Sequence, residues 1–520
     1  MMRSLVSALA LAGWLGAAGP EAPFSAVFES RTPLAPQGRI DELVFGHLRQ
    51  LDVQPANLSS DAVFLRRAYL ETIGTLPTIE EARAFLADAS PVKRAALIDA
   101  LLEREEFADY WANKWCDLLR VKAEFPINLW PNAAQTYHHW VRASLRENKP
   151  YDRLVREMLT ESGSNFRNAP VNFYRAMQNR QPEGIAQAVA LTFMGTRAEK
   201  WPAAQPADMG VFFSRIGFKE TGEWKEEIVY FSAATPAVAR ARFPDGSEVK
   251  LAPDQDPREV FANWLISPKN PWFARAIVNR VWAWMFGRGI VHEADDFRPE
   301  NAPENPELLA YLERELIDSH YDLKHIYRLI LNSQAWQLSP LPRSDRADAG
   351  SHFGYYPLRR LDAEVLIDAL NQITGTTEKY SSAIPEPYTY MPDDQRAVAL
   401  PDGSISSAFL ELFGRPPRDT GQESERNNRL TDAQRLHMLN SSHVLSKLQQ
   451  GPKIQAMMRN IRVPQNLVAA MYLSILSRYP TEEEAKLVAA HAQTASAKGQ
   501  AAIVDLAWAL INSTEFLYRH

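Results

Sequence analysis

Arginines and carboxylates gather at three places where turn signals interrupt the periodic pattern of the chain. The first holds Asp295, Asp296 and Arg298. The second holds Arg359, Arg360 and Asp362, and the third Arg415, Arg418, Glu423, Glu425 and Arg426. A guanidinium presents a planar fork of donors that engages both oxygens of a carboxylate. Such sets either lock loops onto a helical body as a buried ion network, the preferred reading, or line a pocket for an anionic ligand such as an acidic or sulfated sugar.

Other chemistry-bearing residues are less suited to a site. His292, Glu293, Asp295 and Asp296 form an oxygen-rich loop open to a hard cation, but without the alternating Asp spacing of a Ca²⁺ loop, so loop capping is the better reading. His138 and His139 are adjacent on a helical pattern and point to different sides. His437 and His443 lie six apart on another and are also off-face, so neither a metal nor another cofactor is expected. Cys116 is the sole cysteine. It sits beside the stripe Phe107, Trp111, Trp115 and Leu119, which suits a small buried hydrophobe and excludes disulfides within the chain. No nucleophile-elbow, zincin, Walker or dinucleotide fingerprint is present. Carboxylates are too numerous to select a glycosidase pair without their spatial separation. Of the 13 tryptophans, Trp111, Trp115, Trp272, Trp282 and Trp284 fall on amphipathic helices, whereas Trp130, Trp201 and Trp224 fall on loops and could stack on sugar rings.

The elements that position these residues are mainly α-helical. Helices are expected over 41–51, 61–73, 90–121, 132–147, 151–161 and 182–194, and again over 362–374, 431–449, 464–477, 481–493 and 499–516. Thr78 and Glu81 fit a capping box, and Asn270-Pro271 opens a helix through Phe286 that Gly287 ends. Between the helical stretches, 198–257 reads as a β-containing linker segment. Strands are expected at 228–231 and 239–243, with a return at 248–251 after the turn Pro244-Asp245-Gly246-Ser247. The expected organisation is a signal peptide at 1–19, a flexible leader at 20–39, a helical module at 40–197, the linker segment, and a second helical module at 258–520. The second module includes a long ordered loop at 376–429.

Arg3 and the apolar run 5–18 make up the export signal, which implies a periplasmic or extracellular location. No later segment is apolar for long enough to span a bilayer, so no transmembrane segment is expected after cleavage. A net charge of −6 argues against a broad nucleic-acid footprint, which needs a basic face to displace counterions.

An internal echo links the two ends. Tyr69-Leu70, Pro77-Thr78 and Glu80-Glu81-Ala82 match Tyr472-Leu473, Pro480-Thr481 and Glu483-Glu484-Ala485 at one offset. Ala100-Leu101-Leu102 with Glu106-Phe107 then matches Ala509-Leu510-Ile511 with Glu515-Phe516. Two copies do not make a solenoid.

Several motifs resemble a two-module family of exported proteins typical of Planctomycetes and their relatives, domain-of-unknown-function families 1549 (also called a cytochrome-associated domain) and 1553. For the first module they are Phe64-Leu65-Arg66-Arg67, Gly74-Thr75-Leu76-Pro77-Thr78 and Trp111-Ala112-Asn113-Lys114-Trp115. For the second they include Asn279-Arg280-Val281-Trp282, Asp295-Asp296-Phe297-Arg298-Pro299 and Phe413-Gly414-Arg415-Pro416-Pro417-Arg418. The resemblance implies that relatives carry a Cys-x-x-Cys-His stretch after the positions of Gly195-Thr196-Arg197, and a Cys-x-Cys pair before Glu-Arg in the second module. This chain has Ala198-Glu199-Lys200-Trp201 and Gln422-Glu423-Ser424-Glu425-Arg426 there, so covalent haem attachment, which needs both thiols, is absent. The joint departure suggests one linked feature lost whole; two independent losses remain the alternative. The expected function is an exported, non-catalytic binding or assembly protein, with another exported protein as partner by resemblance. The alternatives are a hydrolase or lyase acting on extracellular polysaccharide, and a redox partner as in haem-bearing relatives.

Overall fold

Apolar residues spaced three and four apart fold into helices along most of the chain, and every sheet is small. The computed structural model describes residues 25–520 except 203, 237 and 495–498. The expected signal peptide lies outside the described residues. The mainly α reading holds, and no helix among the described residues is long and apolar enough to cross a membrane.

The predicted caps form. Thr78 Oγ1 accepts from Glu81 N at 3.1 Å while Glu81 returns to Thr78 N at 2.8 Å. Asn270 Oδ1 accepts from Trp272 N and Phe273 N, and the helix Phe273–Phe286 ends on Gly287 in the left-handed region. Three stretches read as single helices are instead broken. Residues 90–121 divide into Lys93–Leu102 and Glu105–Leu118, with Arg104 extended between them. Residues 431–449 divide at Ser441, whose hydroxyl accepts from Val444 N, and 499–516 at Ser513, whose hydroxyl accepts from Phe516 N. Hydrophobic periodicity runs through such breaks, while a serine hydroxyl competes for the next turn's free N–H and restarts the helix. The loop 376–429 contains one short helix, Ala408–Leu412, and Pro452–Asn460 is a helix the periodicity did not mark.

The leader is not free over its described part. Ser30 N donates to Leu58 O at 2.8 Å, Ser60 N to Phe28 O at 3.0 Å, and Asn57 reaches the buried Glu29 at 3.0 Å. An extended Pro-rich segment has no period to read, yet its backbone groups still find partners.

The linker segment carries the expected strands as Glu227–Phe231, Arg240–Arg242 and Glu248–Lys250, and the last two pair antiparallel across the predicted turn. Glu227–Phe231 is the centre of a three-stranded antiparallel sheet, flanked by Ile216–Glu220 and by Gly163–Ser164 from the preceding helical region. A third pairing, Arg359–Arg360 with Tyr518–Arg519, joins residues 158 or more positions apart and sets the candidate site.

One contiguous apolar cluster runs from Ile40 to Phe516. The helix Asp61–Thr72 is buried nearly all round, so Arg66, Arg67 and Glu71 have no route to solvent. Arg66 donates to Ile475 O at 2.7 Å and Phe516 O at 2.9 Å; Arg67 donates to Trp336 O, Leu338 O and His520 O. Buried guanidinium groups are tolerated because carbonyl dipoles satisfy their donors.

Candidate functional site: a cleft walled by arginines and carboxylates

The carboxylates beneath the site are set by helices. Glu71 ends the buried helix Asp61–Thr72, and Asp362 and Glu364 open the helix Ala363–Thr374. Lys114 and Asp117 stand one turn apart on Glu105–Leu118. Loops and the short strand pair then lay arginines across them. Glu71 receives Arg359 at 2.6 Å and the Tyr356 hydroxyl at 2.7 Å, with Arg519 at 3.4 Å. Asp362 receives Lys114 at 2.6 Å, Arg519 at 2.8 Å and Asn428 at 2.7 Å. Glu364 takes both terminal nitrogens of Arg426, at 2.8 and 2.9 Å, and Arg426 also reaches Asp117 at 2.6 Å. Burial alone would raise the carboxyl of Asp362, but Arg519, Lys114 and Arg426 hold it well below the usual range. Burial opposes ionisation of Glu364 too, yet Arg426 and Arg415 keep it at about 2.

Above this layer the space is open. A cleft of about 650 Å³ is walled by seven cations (Lys114, Arg280, Arg359, Arg360, Arg426, Arg429, Arg519) and four carboxylates (Asp117, Asp295, Asp362, Glu423). Glu71 and Glu364 behind the wall bring the carboxylates to six, so the surplus charge is localised rather than spread. Arg360 is buried and bonds only to the carbonyls of Phe413, Asn427 and Asn428, leaving its second terminal nitrogen without a partner. Arg429 is exposed on the cleft wall and makes no ion pair among the described residues. Asp295 is held by Arg280 at 2.5 Å, and its other oxygen accepts from Glu423 N at 2.8 Å. Glu423 is an exposed residue lining the cleft and makes no ion pair among the described residues, although Arg280 and Lys114 oppose the rise of its pKa from a distance. Surrounding protein atoms, and then the charge of Asp295, raise its carboxyl to about 7.

The predicted residues divide among four settings. Asp295, Arg359, Arg360, Asp362 and Arg426 line the cleft. Asp296 and Arg298 pair with each other at 3.0 Å beside a separate depression shared with Lys200 and Trp201. Arg415 and Arg418 are buried: Arg415 bonds the Ile405 and Asp402 carbonyls, and Arg418 bonds Asp117 at 2.8 Å and Asn113 at 2.7 Å. Glu425 caps its own loop by accepting from Thr420 N at 2.8 Å. The arginine sets thus supply a buried ion network below and part of the wall of an open cleft above. Residues not singled out as site members in the sequence are Glu71, Lys114, Asp117, Arg280, Glu364, Arg429 and Arg519. The available signal was a charge inside an apolar stripe, as with Lys114 between Trp111 and Trp115, since such a charge is buried only with a partner.

The remaining candidates resolve simply. Cys116 is buried, and burial pushes its thiol up to about 12. His138 is buried, and burial followed by Arg418 lowers it to about 3. The break at Ser441 brings His437 and His443 to within 3.3 Å, which an unbroken helix would not do. Trp130 and Trp224 come together, with ring centroids 6.4 Å apart, and Tyr388 lies 5.4 Å from Trp130.

Residues 39–200 match the model of a family described as a protein of unknown function (DUF1549), and residues 257–492 match that of a second (DUF1553). The chain belongs to this two-module family. No curated protein and no solved structure matches it significantly. The strand pair at the cleft brings Arg359 and Arg360 of the second match against Tyr518 and Arg519, which lie beyond its end, while Lys114 and Asp117 come from the first. A side chamber of about 220 Å³ shares Asp295, Glu423 and Ser424 with the main cleft and is also lined by Arg197. The stretch Gln422-Glu423-Ser424, where the resemblance places thiols in relatives, therefore lines the cavity, whereas of the other stretch Lys200 and Trp201 line the separate depression beside Asp296.

Proposed function

We propose that the protein is an exported binding component that grips an acidic glycan segment in this cleft. The observation that carries the reading is the pair Arg360 and Arg429. Both are cations on the cleft wall, neither makes an ion pair among the described residues, and the first is buried, with Asp362 and Glu364 acting on it only from beyond contact. A buried cation without a contacting counter-charge is costly, and a carboxylate or sulfate from a ligand offsets that cost. The volume suits a small ligand or one end of a longer chain. Convergence on this cleft of residues from both matched regions, Lys114 and Asp117 from one and Arg359, Arg360 and Arg426 from the other, supports it as the place where the family acts. Titration calorimetry with uronate and sulfated oligosaccharides tests the reading. Binding is expected to weaken with added salt, and Arg429→Ala to weaken it about tenfold, the scale of one charge-assisted contact, without lowering Tm. Binding to no acidic oligosaccharide, or equal binding by the variant, overturns it.

A second reading rests on Glu423, a carboxyl held at about 7 at the cleft wall and able to donate a proton at neutral pH. It makes the protein a hydrolase or lyase of the same glycan. Release of new chain ends by the wild type and its loss in Glu423→Gln is the expected result; absence of release from every acidic glycan that binds removes this reading and leaves binding intact.

A further inference from the structure

We infer that His47, Glu304 and His352 form a binding site for a divalent first-row transition ion, with Zn²⁺ the best match to the donor set. The site is separate from the cleft. One donor atom from each residue lies within 4.8 Å of the other two: His352 Nδ1 is 2.6 Å and His47 Nε2 4.0 Å from Glu304 Oε1. Both ring nitrogens are buried atoms and neither makes a hydrogen bond of good geometry; His352 Nδ1 touches the Glu304 carboxylate and His47 Nε2 stands off it, so two ring nitrogens and a carboxylate face one point. Ligands around tetrahedral Zn²⁺ stand about 3.3 Å apart, so the arrangement closes with side-chain shifts of under about 1 Å. Two histidines, one carboxylate and an open side are the donor set of zinc and related ions, whereas Ca²⁺ and Mg²⁺ prefer all-oxygen shells.

The surroundings hold the donors in place. Asn305 next to Glu304 donates to Leu43 O at 3.2 Å, one turn before His47 on the helix Arg39–Gln50, and Glu304 N donates to Ile290 O at 2.7 Å. The loop bearing His352 is tied to the end of that helix by Arg346 on Leu51 O at 2.7 Å, and Phe353 packs against Trp282 and Phe286. Asp348, paired with Arg346 at 2.6 Å, lies 3.3 Å from His352 Nε2. An ion-paired carboxylate only accepts, so Nε2 carries the proton and Nδ1 is left to coordinate, the carboxylate–histidine–metal relay of many zinc centres.

The test uses the tag-free full chain stripped with a chelator. Calorimetry with Zn²⁺ is expected to give one equivalent bound and a rise in Tm, and Co²⁺ to give the visible absorption of a tetrahedral site. His47→Ala and Glu304→Ala each remove these signals while their metal-free melting stays close to that of the wild type. Asp348→Asn, which keeps all three ligands, weakens Zn²⁺ about 10–100-fold. No stoichiometric uptake by the wild type, or uptake unchanged in His47→Ala, overturns the proposal. Unchanged affinity in Asp348→Asn overturns the positioning role of Asp348.

Discussion

The two capped hairpins that echo each other in sequence lie side by side, yet they are closed by arginines from different places. In the first, Arg104 pairs with Glu81 of the capping box at 2.8 Å and with Glu106 at 2.5 Å, and lies over the Tyr69 ring. In the second, Arg478 pairs with Glu484 and Glu515, each at 2.7 Å, and lies over the Tyr472 ring. Tyr, capping Glu and distal Glu correspond between the copies; the arginines do not. Arg104 follows the third helix of its unit, Lys93–Leu102, and Arg478 follows the first, Pro464–Leu476. The constellation is thus defined by where a guanidinium satisfies two carboxylates and a ring face, and any chain position that reaches that point will serve. The burial also differs: the Arg104 side chain is 32% exposed and that of Arg478 9%. Only the first copy has a buried pair like Arg66 and Arg67, of which Arg66 straps it to carbonyls of the second; alanines occupy 469 and 470.

That asymmetry sets a ranking of effects. Arg66→Ala is expected to cost the most, about 3–5 kcal/mol by denaturant unfolding, because it strands two carbonyls and opens a cavity between the copies. Arg478→Ala should cost about 3 kcal/mol and Arg104→Ala no more than about 1 kcal/mol, since breaking a buried pair leaves charges uncompensated while an exposed one is screened. Equal losses would show that the two constellations are energetically interchangeable. Both copies should be acid-sensitive, the first through Glu106, which the hydrogen bond from Arg104 holds below the usual carboxylate range, and the second through Glu484. Burial opposes ionisation of Glu484, but Arg478 holds its pKa below the usual carboxylate range. Its contribution is therefore present above the unfolded pKa and lost as pH falls through the depressed value, and Arg478→Ala should flatten that part of the stability profile.

The helix ends offer a sharper contrast. Gly74 and Ser477 occupy the same place in each echo, at φ 62° and 61°. A Cβ on Gly74 would lie 2.5 Å from the Tyr110 ring, so Gly74→Ala should cost more than about 2 kcal/mol from strain and clash together. Ser477 is buried with its hydroxyl unpartnered, and Ser477→Gly should stabilise by about 1 kcal/mol. The smallest effects belong to the caps: Thr78→Ala and Thr481→Ala should each cost about 1 kcal/mol, measured as a Tm shift.

Much of the architecture was legible from periodicity and caps. Thr78 with Glu81, Asn270 and Gly287 all act as their residue types imply, and the hairpin around Pro244-Asp245-Gly246-Ser247 forms in the expected place. The breaks at Arg104, Ser441 and Ser513 were hidden because the apolar stripe continues across them. For the site, the arginine sets pointed to the right loops. Nothing local separated Arg360, which faces the cleft, from Arg415 and Arg418, which enter the core beneath it, since all are arginines on turns flanked by acidic residues.

By itself the sequence determined the helical character, most cap positions, the family and the absence of thiols at two positions, because each depends on residues within a few places of one another. Tertiary structure alone decided which charges share a space. Arg519 meets Asp362 across 157 residues, and His47 meets Glu304 and His352 across more than 250. Such meetings depend on how helices pack and where a two-residue strand closes, and Coulomb interaction takes no account of chain separation.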